Sequence, residues 1–357
     1  MRKILTIAGT RPQLVKVAAV SRVIRESFNE VLVNTGQHYD YNMAGVFFDE
    51  LNIPKPDYDL GIGSDTHGRQ TGRMMIAVEE VVEKEKPDAI LVYGDTNSTL
   101  AGATVASKLH IPIIHIEAGL RSYNKEMPEE INRIMTDHVS TLLFAPTDLA
   151  VRNLAKEGIS DGVHQVGDVM YDAVLYNMTL AEEKHTLSDY NLVSREYVLG
   201  TIHRADNTDN KERLESILQA FSALKEKVYL PLHPRTKSKI DTFGLNSIVE
   251  QASNIEIVEP ISYLEMLLLE KHAKAIVTDS GGVQKEAYFA KVPCITLRDQ
   301  TEWVETIVTG WNQLVNPLEV NLAEKLANLQ VGKPIDNLYG DGEAAKKINS
   351  IIKKYLE

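Results

Sequence analysis

Cysteine is nearly missing from this chain: Cys294 is the only one among 357 residues. No intrachain disulfide can form, and no cysteine cluster can hold zinc. Long apolar runs are absent as well. None approaches the roughly 18 residues that cross a bilayer. The run behind Met1-Arg2-Lys3 ends at Gly9, too short for the core of a secretion signal. A cytoplasmic setting with no membrane partner is therefore expected. Positive charge is in deficit, because 38 Lys and Arg against 50 Asp and Glu leave a net charge of −12. Such a surface repels a polyanion, so no nucleic-acid partner is expected. The first strand is not followed by a dinucleotide-binding glycine fingerprint, and Gly61-Ile62-Gly63 lacks the third glycine and follows Pro54 and Pro56. No Gly-x-Ser-x-Gly elbow or zinc-type His-Glu-x-x-His motif occurs.

What the chain does contain is a regular alternation of short β-branched runs and amphipathic stretches. This predicts an α/β fold with mainly parallel sheet. Strands are expected at 4–8, 30–34, 89–93, 113–117 and 142–145, then at 197–201, 228–232, 255–258, 275–278 and 294–297. Their runs are apolar throughout, as when helices cover both faces of a sheet. Helices are expected at 15–25, 211–225, 263–271 and 282–290. Two domains follow, 1–170 and 171–343, with the polar stretch 181–195 or the chain just before it as the connection. Gly340-Asp341-Gly342 breaks the chain before a terminal helix, 344–357. Periodicity does not decide whether that helix stays on the second domain or returns to the first.

In open parallel sheets, ligands gather beyond the carboxyl ends of the strands. Five polar clusters hold such positions: Gly9-Thr10-Arg11-Pro12 with Lys16 beyond it, Gly94-Asp95-Thr96-Asn97, His115-Ile116-Glu117-Ala118-Gly119-Leu120-Arg121-Ser122, Thr201-Ile202-His203-Arg204 and Asp279-Ser280-Gly281-Gly282. The last has the clearest mechanism. Glycine amides at a helix start approach an anion, Ser280 adds a hydroxyl, and Glu286 two turns on can accept from ribose hydroxyls. Read blandly, the same residues cap a helix. Asp95 and Glu117 suit paired acid and base roles, although Asp95 also suits the cap of a helix starting near Ser98. Glu129 and Glu130 in Pro128-Glu129-Glu130-Ile131-Asn132-Arg133 fit a first-turn dipole pair. His203 fits either a core histidine or an anion contact.

Together, in this order and spacing, these clusters resemble the non-hydrolysing UDP-N-acetylglucosamine 2-epimerase family. His233-Pro234, Asp279-Ser280-Gly281-Gly282-Val283-Gln284 and Leu297-Arg298-Asp299 add to the likeness, which spans about residues 3 to 345. The resemblance implies two Rossmann-like domains facing a cleft, the glycosyltransferase-B arrangement, in a homodimer. It implies an isomerase that needs no cofactor and no metal, acting on a UDP-sugar for cell-surface polysaccharide synthesis. By the family pattern, Asp95, Glu117 and Glu129 do the acid–base chemistry with His203 among the catalytic groups. Arg11, Lys16, Arg133, His233, Met266, Ser280, Gly281, Gly282, Glu286 and Arg298 bind the nucleotide sugar.

The chain departs from the family pattern at several points. Gln13 stands where a glutamate is usual, Trp303 replaces an arginine, Met266 replaces a phenylalanine near the uracil, and Gln37-His38-Tyr39-Asp40 differs from a loop tied to allosteric substrate binding. Gln284-Lys285-Glu286 and Arg298 to Trp303 look like the branch acting on UDP-2,3-diacetamido-2,3-dideoxyglucuronate. The expected reaction is epimerisation of UDP-N-acetylglucosamine to UDP-N-acetylmannosamine, with the diacetamido acid as the alternative substrate. A glycosyltransferase of the same fold and a non-catalytic nucleotide-sugar sensor are the rival classes.

Overall fold

The apolar runs become the strands of two parallel sheets. In the computed structural model, which describes residues 1–36, 51–301, 303–329, 332 and 337–357, the chain forms two units. Met1–Tyr176 joins Asn337–Glu357 in the first, and Asn177–Asp336 forms the second. The Gln37–Asp40 loop and Glu302 lie outside the described residues.

The first unit runs β1 (Lys3–Ala8), α1 (Arg11–Ser27), β2 (Asn29–Asn34), β3 (Tyr58–Asp59), α2 (His67–Glu85), β4 (Ala89–Tyr93), α3 (Asn97–Lys108), β5 (Ile113–Ile116), α4 (Pro128–Val139), β6 (Leu142–Ala145), α5 (Asp148–Lys156) and β7 (Val163–Gln165). Helix α6 (Val169–Lys184) begins in the first unit and ends in the second. Its strands lie in the order β3-β2-β1-β4-β5-β6-β7, all parallel. Chain order reverses between β1 and β4, so the loops after these two strands diverge and leave a crevice at their carboxyl ends. Ile4, Leu5, Ile7, Leu32, Ile90, Leu91 and Val92 are fully buried, each contributing about 1.5–3 kcal/mol of burial free energy.

The second unit continues with β8 (Tyr197–Thr201), α7 (Ala205–Thr208), α8 (Lys211–Ser222), β9 (Lys227–Pro231), α9 (Pro234–Phe243), α10 (Asn246–Gln251), β10 (Ile255–Val258), α11 (Tyr263–His272), β11 (Ala275–Thr278), α12 (Gly281–Phe289), β12 (Cys294–Leu297), α13 (Val304–Val308), β13 (Asn312–Val315) and α14 (Leu322–Ala327). Its order, β10-β9-β8-β11-β12-β13, is again all parallel and places the same reversal between β8 and β11. The terminal helix α15 (Ala344–Leu356) belongs to the first unit. It packs along α1, where Asn349 Nδ2 donates to Ser27 Oγ at 3.0 Å, and its Ala345 amide donates to Asp172 on α6.

The units divide between Tyr176 and Asn177, inside α6 and just ahead of the polar stretch 181–195. Within that stretch Leu192 is buried, and Tyr190 Oη donates to Glu265 at 2.7 Å. One expectation changes. The strand expected to include Glu117 stops at Ile116, and Glu117 turns out of it with a φ of 73°.

Helix α4 is inside out. Its buried residues are Glu130, Asn132, Thr136 and Asp137, whereas Met127, Ile131, Met135 and Val139 lie exposed in a row spaced by four. A solvent-facing helix normally buries its apolar stripe. Here the polar side is turned inwards, towards the loops at the carboxyl end of the sheet.

Candidate active site

In the first unit the polar residues converge at the reversal point. Lys16, in the second turn of α1, forms an ion pair with Glu117, and both side chains are about nine-tenths buried. Burial alone would lower the Lys16 pKa. The charge and hydrogen bond of Glu117, with smaller contributions from Asp168 and Asp95, hold it above the ordinary lysine value. Gly94, at φ 60°, turns the chain after β4, and a Cβ there would stand 3.1 Å from Glu117 Oε2 and 3.7 Å from Lys16 Nζ. A side chain there would press on the pair, and the positive φ itself favours glycine. Glu117 itself holds a left-handed conformation that costs a non-glycine residue about 1–2 kcal/mol. Its amide donates to Phe144 O at 3.1 Å, which fixes the turn.

Asp95 follows directly. It is not a helix cap, since Thr96 caps α3. Its carboxylate is held by Arg133, and Asn132 Nδ2 donates to its carbonyl at 2.8 Å. Arg133 Nη1 also donates to Glu130 at 3.0 Å. Glu130 accepts as well from the amides of Ser122 and Tyr123, both at 2.8 Å. Burial would raise the Glu130 carboxyl, but those two amides, Arg133 and the Ser122 hydroxyl pull it below the usual range.

The unusual Gln13 has a definite role. Its Oε1 accepts from the amides of Gly9 (2.9 Å) and Thr10 (3.2 Å), and its Nε2 donates to Tyr93 O (2.7 Å) and the hydroxyls of Thr96 and Thr99. The loop after β1 is thereby tied to the loop after β4. An ionised glutamate could not donate to Tyr93 O, so the amide suits this position.

In the second unit, Ser280 caps α12, whose first-turn amides follow the end of β11. Space around the Gly282 α-carbon is open, with Ser280 Oγ at 3.9 Å from a would-be Cβ, so an anion can approach the amides. Asp279, fully buried, accepts from the amides of His203 (3.1 Å) and Arg204 (3.1 Å) and from Asn207 Nδ2 (3.1 Å), which fixes the loop after β8. Glu286 is 6% exposed and accepts from Tyr263 Oη at 3.0 Å. Burial raises its carboxyl to about 7 against the lowering effects of Tyr263 and Lys285. Behind it on α11, Glu270 is fully buried with neither carboxyl oxygen hydrogen-bonded. Burial first, and the Glu286 charge second, push Glu270 well above the ordinary glutamate value. Lys285 Nζ lies 4.3 Å from the Trp303 ring centroid, a cation–π contact.

The structure thus brings Lys16, Asp95, Glu117 and Arg133 together in the first unit. In the second it groups Ser280, Gly281, Gly282 and Glu286 along α12, with His203 exposed at the end of β8, its Nδ1 3.7 Å from Asp279. Arg133 is a partner of Asp95. Glu129 is exposed in the first turn of α4, and Arg11 is exposed at the start of α1. His233 caps α9, accepting from the Arg235 amide at 3.2 Å. Met266 packs on the hydrophobic core of the second unit, and Arg298 is half-buried after β12. The sequence reading took Glu130 for a helix-dipole partner and did not single out Asp137 or Glu270. An acid set in an apolar run, as Glu270 is in Leu267-Leu268-Leu269-Glu270, was the available signal. Among the described residues, no group of three or more His, Cys, Asp or Glu is arranged to hold a metal, and no helix is long and apolar enough to cross a membrane.

A family model described as UDP-N-acetylglucosamine 2-epimerase matches residues 22–353. The chain is 51% identical to a UDP-N-acetylglucosamine 2-epimerase homolog of Methanococcus maripaludis, over 98% of this chain and 99% of that protein. It is 48% identical to the UDP-2,3-diacetamido-2,3-dideoxy-D-glucuronate 2-epimerase of Pseudomonas aeruginosa, over 99% of each. Among solved structures it is similar to the Methanocaldococcus jannaschii UDP-GlcNAc 2-epimerase in complex with UDP-GlcNAc and UDP, with a TM-score of 0.86, 45% identity and 99% of both chains covered.

Proposed function

This chain belongs to the UDP-N-acetylglucosamine 2-epimerase family, and from that premise we propose that it interconverts UDP-N-acetylglucosamine and UDP-N-acetylmannosamine without a cofactor. The hydrogen on C2 of this sugar is not beside a carbonyl carbon, so a carboxylate cannot simply exchange it. Elimination removes the difficulty. A base takes the C2 proton while the C1–oxygen bond to UDP breaks, giving 2-acetamidoglucal and UDP. The steps then reverse with the proton delivered to the opposite face of C2, and UDP re-forms its bond to C1.

The observation that best supports this reading is the meeting of two carboxylates, Asp95 and Glu117, each ion-paired to its own cation at neighbouring strand ends. Either is the base, with Glu129 assisting, and the other carries the proton for the return step. Charge developing on the β-phosphate is met by Arg11, Lys16 and His203 and by the amides at the start of α12, with Glu286 accepting from the ribose. Arg298, His233 and Met266 complete the nucleotide-sugar contacts.

The alternative substrate, UDP-2,3-diacetamido-2,3-dideoxyglucuronate, is favoured by Lys285 on Trp303 where the family has an arginine. Incubating each sugar in heavy water separates the readings. Deuterium entering C2 of UDP-N-acetylglucosamine without net UDP release supports the main one, and entry only into the diacetamido acid supports the other. Transfer that needs an added acceptor would mean a glycosyltransferase, and binding without exchange a sensor.

On this reading the enzyme works in the cytoplasm and supplies cell-surface polysaccharide synthesis. The protein acts as a homodimer, which the exposed row Met127, Ile131, Met135 and Val139 supports, because a second copy would cover it. Light scattering on wild type and Met135→Lys tests this. A dimer that becomes a monomer agrees, and a monomeric wild type does not.

A further inference from the structure

His115 occupies β5 with a side chain that solvent does not reach. Its Nε2 lies 2.8 Å from the carbonyl oxygen of Gly94, and its Nδ1 lies 2.7 Å from Asp137 Oδ1. A carbonyl only accepts, so Nε2 carries a hydrogen. The second oxygen of Asp137 accepts from the Gly119 amide at 3.1 Å and from Arg121 Nη1 at 2.7 Å. Burial would raise the Asp137 carboxyl, but the hydrogen bonds and charges of His115 and Arg121 hold it below the usual range. Asp137 is therefore held as a carboxylate, and both ring nitrogens of His115 face acceptors, Asp137 Oδ1 on one side and Gly94 O on the other.

Arg121 in turn grips Glu157 through two bonds of 2.7 and 2.8 Å. His138 Nδ1 stands 3.8 Å from the same carboxylate. His115, Asp137, Arg121 and Glu157 thus form a network of paired groups, the condition under which ions are tolerated in a core. What it holds is backbone. Gly94 immediately precedes Asp95, and Gly119 lies two residues after Glu117.

We propose that His115 is a positioning residue: braced by Asp137, it locks the turn after β4 to the turn after β5 and so sets the spacing of Asp95 and Glu117. The proposal rests on the reading of those two carboxylates as the acid–base pair. Inversion at one carbon needs proton-transfer groups held on opposite faces. A displacement of about 1 Å at such groups costs about 10²-fold in rate. His115 has no exposed surface with which to meet substrate, so its effect is confined to the chemical step.

The test compares His115→Gln, Asp137→Asn and Asp95→Asn in C2 exchange, with histidine-selective NMR of the ring N–H groups. His115→Gln is expected to lower kcat about 10²-fold while KM and UDP affinity hold. Asp137→Asn offers its amide N–H to a neutral His115 and keeps Nε2–H on Gly94. It should lose the Nδ1–H signal yet keep turnover within about tenfold of wild type. Wild type should show both ring N–H signals. Wild-type turnover in His115→Gln, a change in KM alone, or a missing Nδ1–H signal in wild type would overturn the proposal. If His115→Gln does not fold, Asp137→Asn decides: turnover lost despite a retained Nε2–H signal overturns it. Full turnover in Asp95→Asn would instead defeat the acid–base reading, whereas an inactive Asp95→Asn beside an active His115→Gln defeats the brace alone.

Discussion

Arg133 joins Asp95 to Glu130. One terminal nitrogen donates to the Asp95 carboxylate, and the other lies 3.0 Å from Glu130 Oε2. Glu130 is anchored in turn by two backbone amides, so Asp95 is oriented from a fixed point. Replacing Arg133 with Lys removes the planar fork that serves both carboxylates at once. Turnover is expected to fall about tenfold or more with UDP affinity little changed. Steady-state kinetics and calorimetry check this, and a loss confined to UDP affinity would make Arg133 a phosphate ligand.

Gly94→Ala places a methyl group against the Lys16–Glu117 pair and forces alanine to a φ of 60°. The backbone cost alone is about 1–2 kcal/mol. Thermal unfolding should move down by a few degrees, and C2 exchange should drop below about a tenth of wild type. An unaffected exchange rate would separate the pair from the chemistry.

Glu286 titrates at about 7, so its carboxyl is largely neutral below that pH and ionised above it. Ribose hydroxyls donate best to the ionised form. Affinity for UDP-N-acetylglucosamine, whose diphosphate does not itself titrate there, should therefore weaken as pH falls from about 8 to about 6. Glu286→Gln should bind more weakly at the higher pH and lose most of this dependence. Calorimetry over that range is the measurement, and parallel profiles for the two proteins would remove Glu286 from the ribose.

Glu270 gives a prediction of stability. Its folded-state pKa is raised above the ordinary 4.5 of the unfolded chain. Its favourable contribution is therefore complete below about pH 4.5 and is progressively lost as pH climbs towards the folded value. Glu270→Gln lacks this loss. It should gain on wild type with rising pH, by up to about 1.4 kcal/mol per pH unit. Denaturant melts at about pH 5 and 8 check the sign, and a gap that narrows at the higher pH would contradict it.

Much of the fold was legible because a parallel sheet covered on both sides demands unbroken apolar strands. Ten of them stand out in the sequence. Strands β3, β7 and β13 did not, being two to four residues long with few apolar positions. Helix boundaries were approximate: α8 ends at Ser222, where the expectation ran to 225. The strand-end clusters were legible through their glycines and acids. The partners that aim them were not. Asp137 meets His115 across 22 residues of chain, and α4 buries the face that periodicity would leave in water. Gln13 looked like a departure until its hydrogen bonds to the loops after β1 and β4 gave the amide a purpose.

Helix α15 carries its own consequence. Ile348 and Ile352 are fully buried, in a helix that lies along α1. A ribosome delivers these residues after all of 177–336, so the portion synthesised first waits longest for its closing piece. Trimming the carboxyl-terminal helix should therefore wound the amino-terminal unit and spare the inserted one.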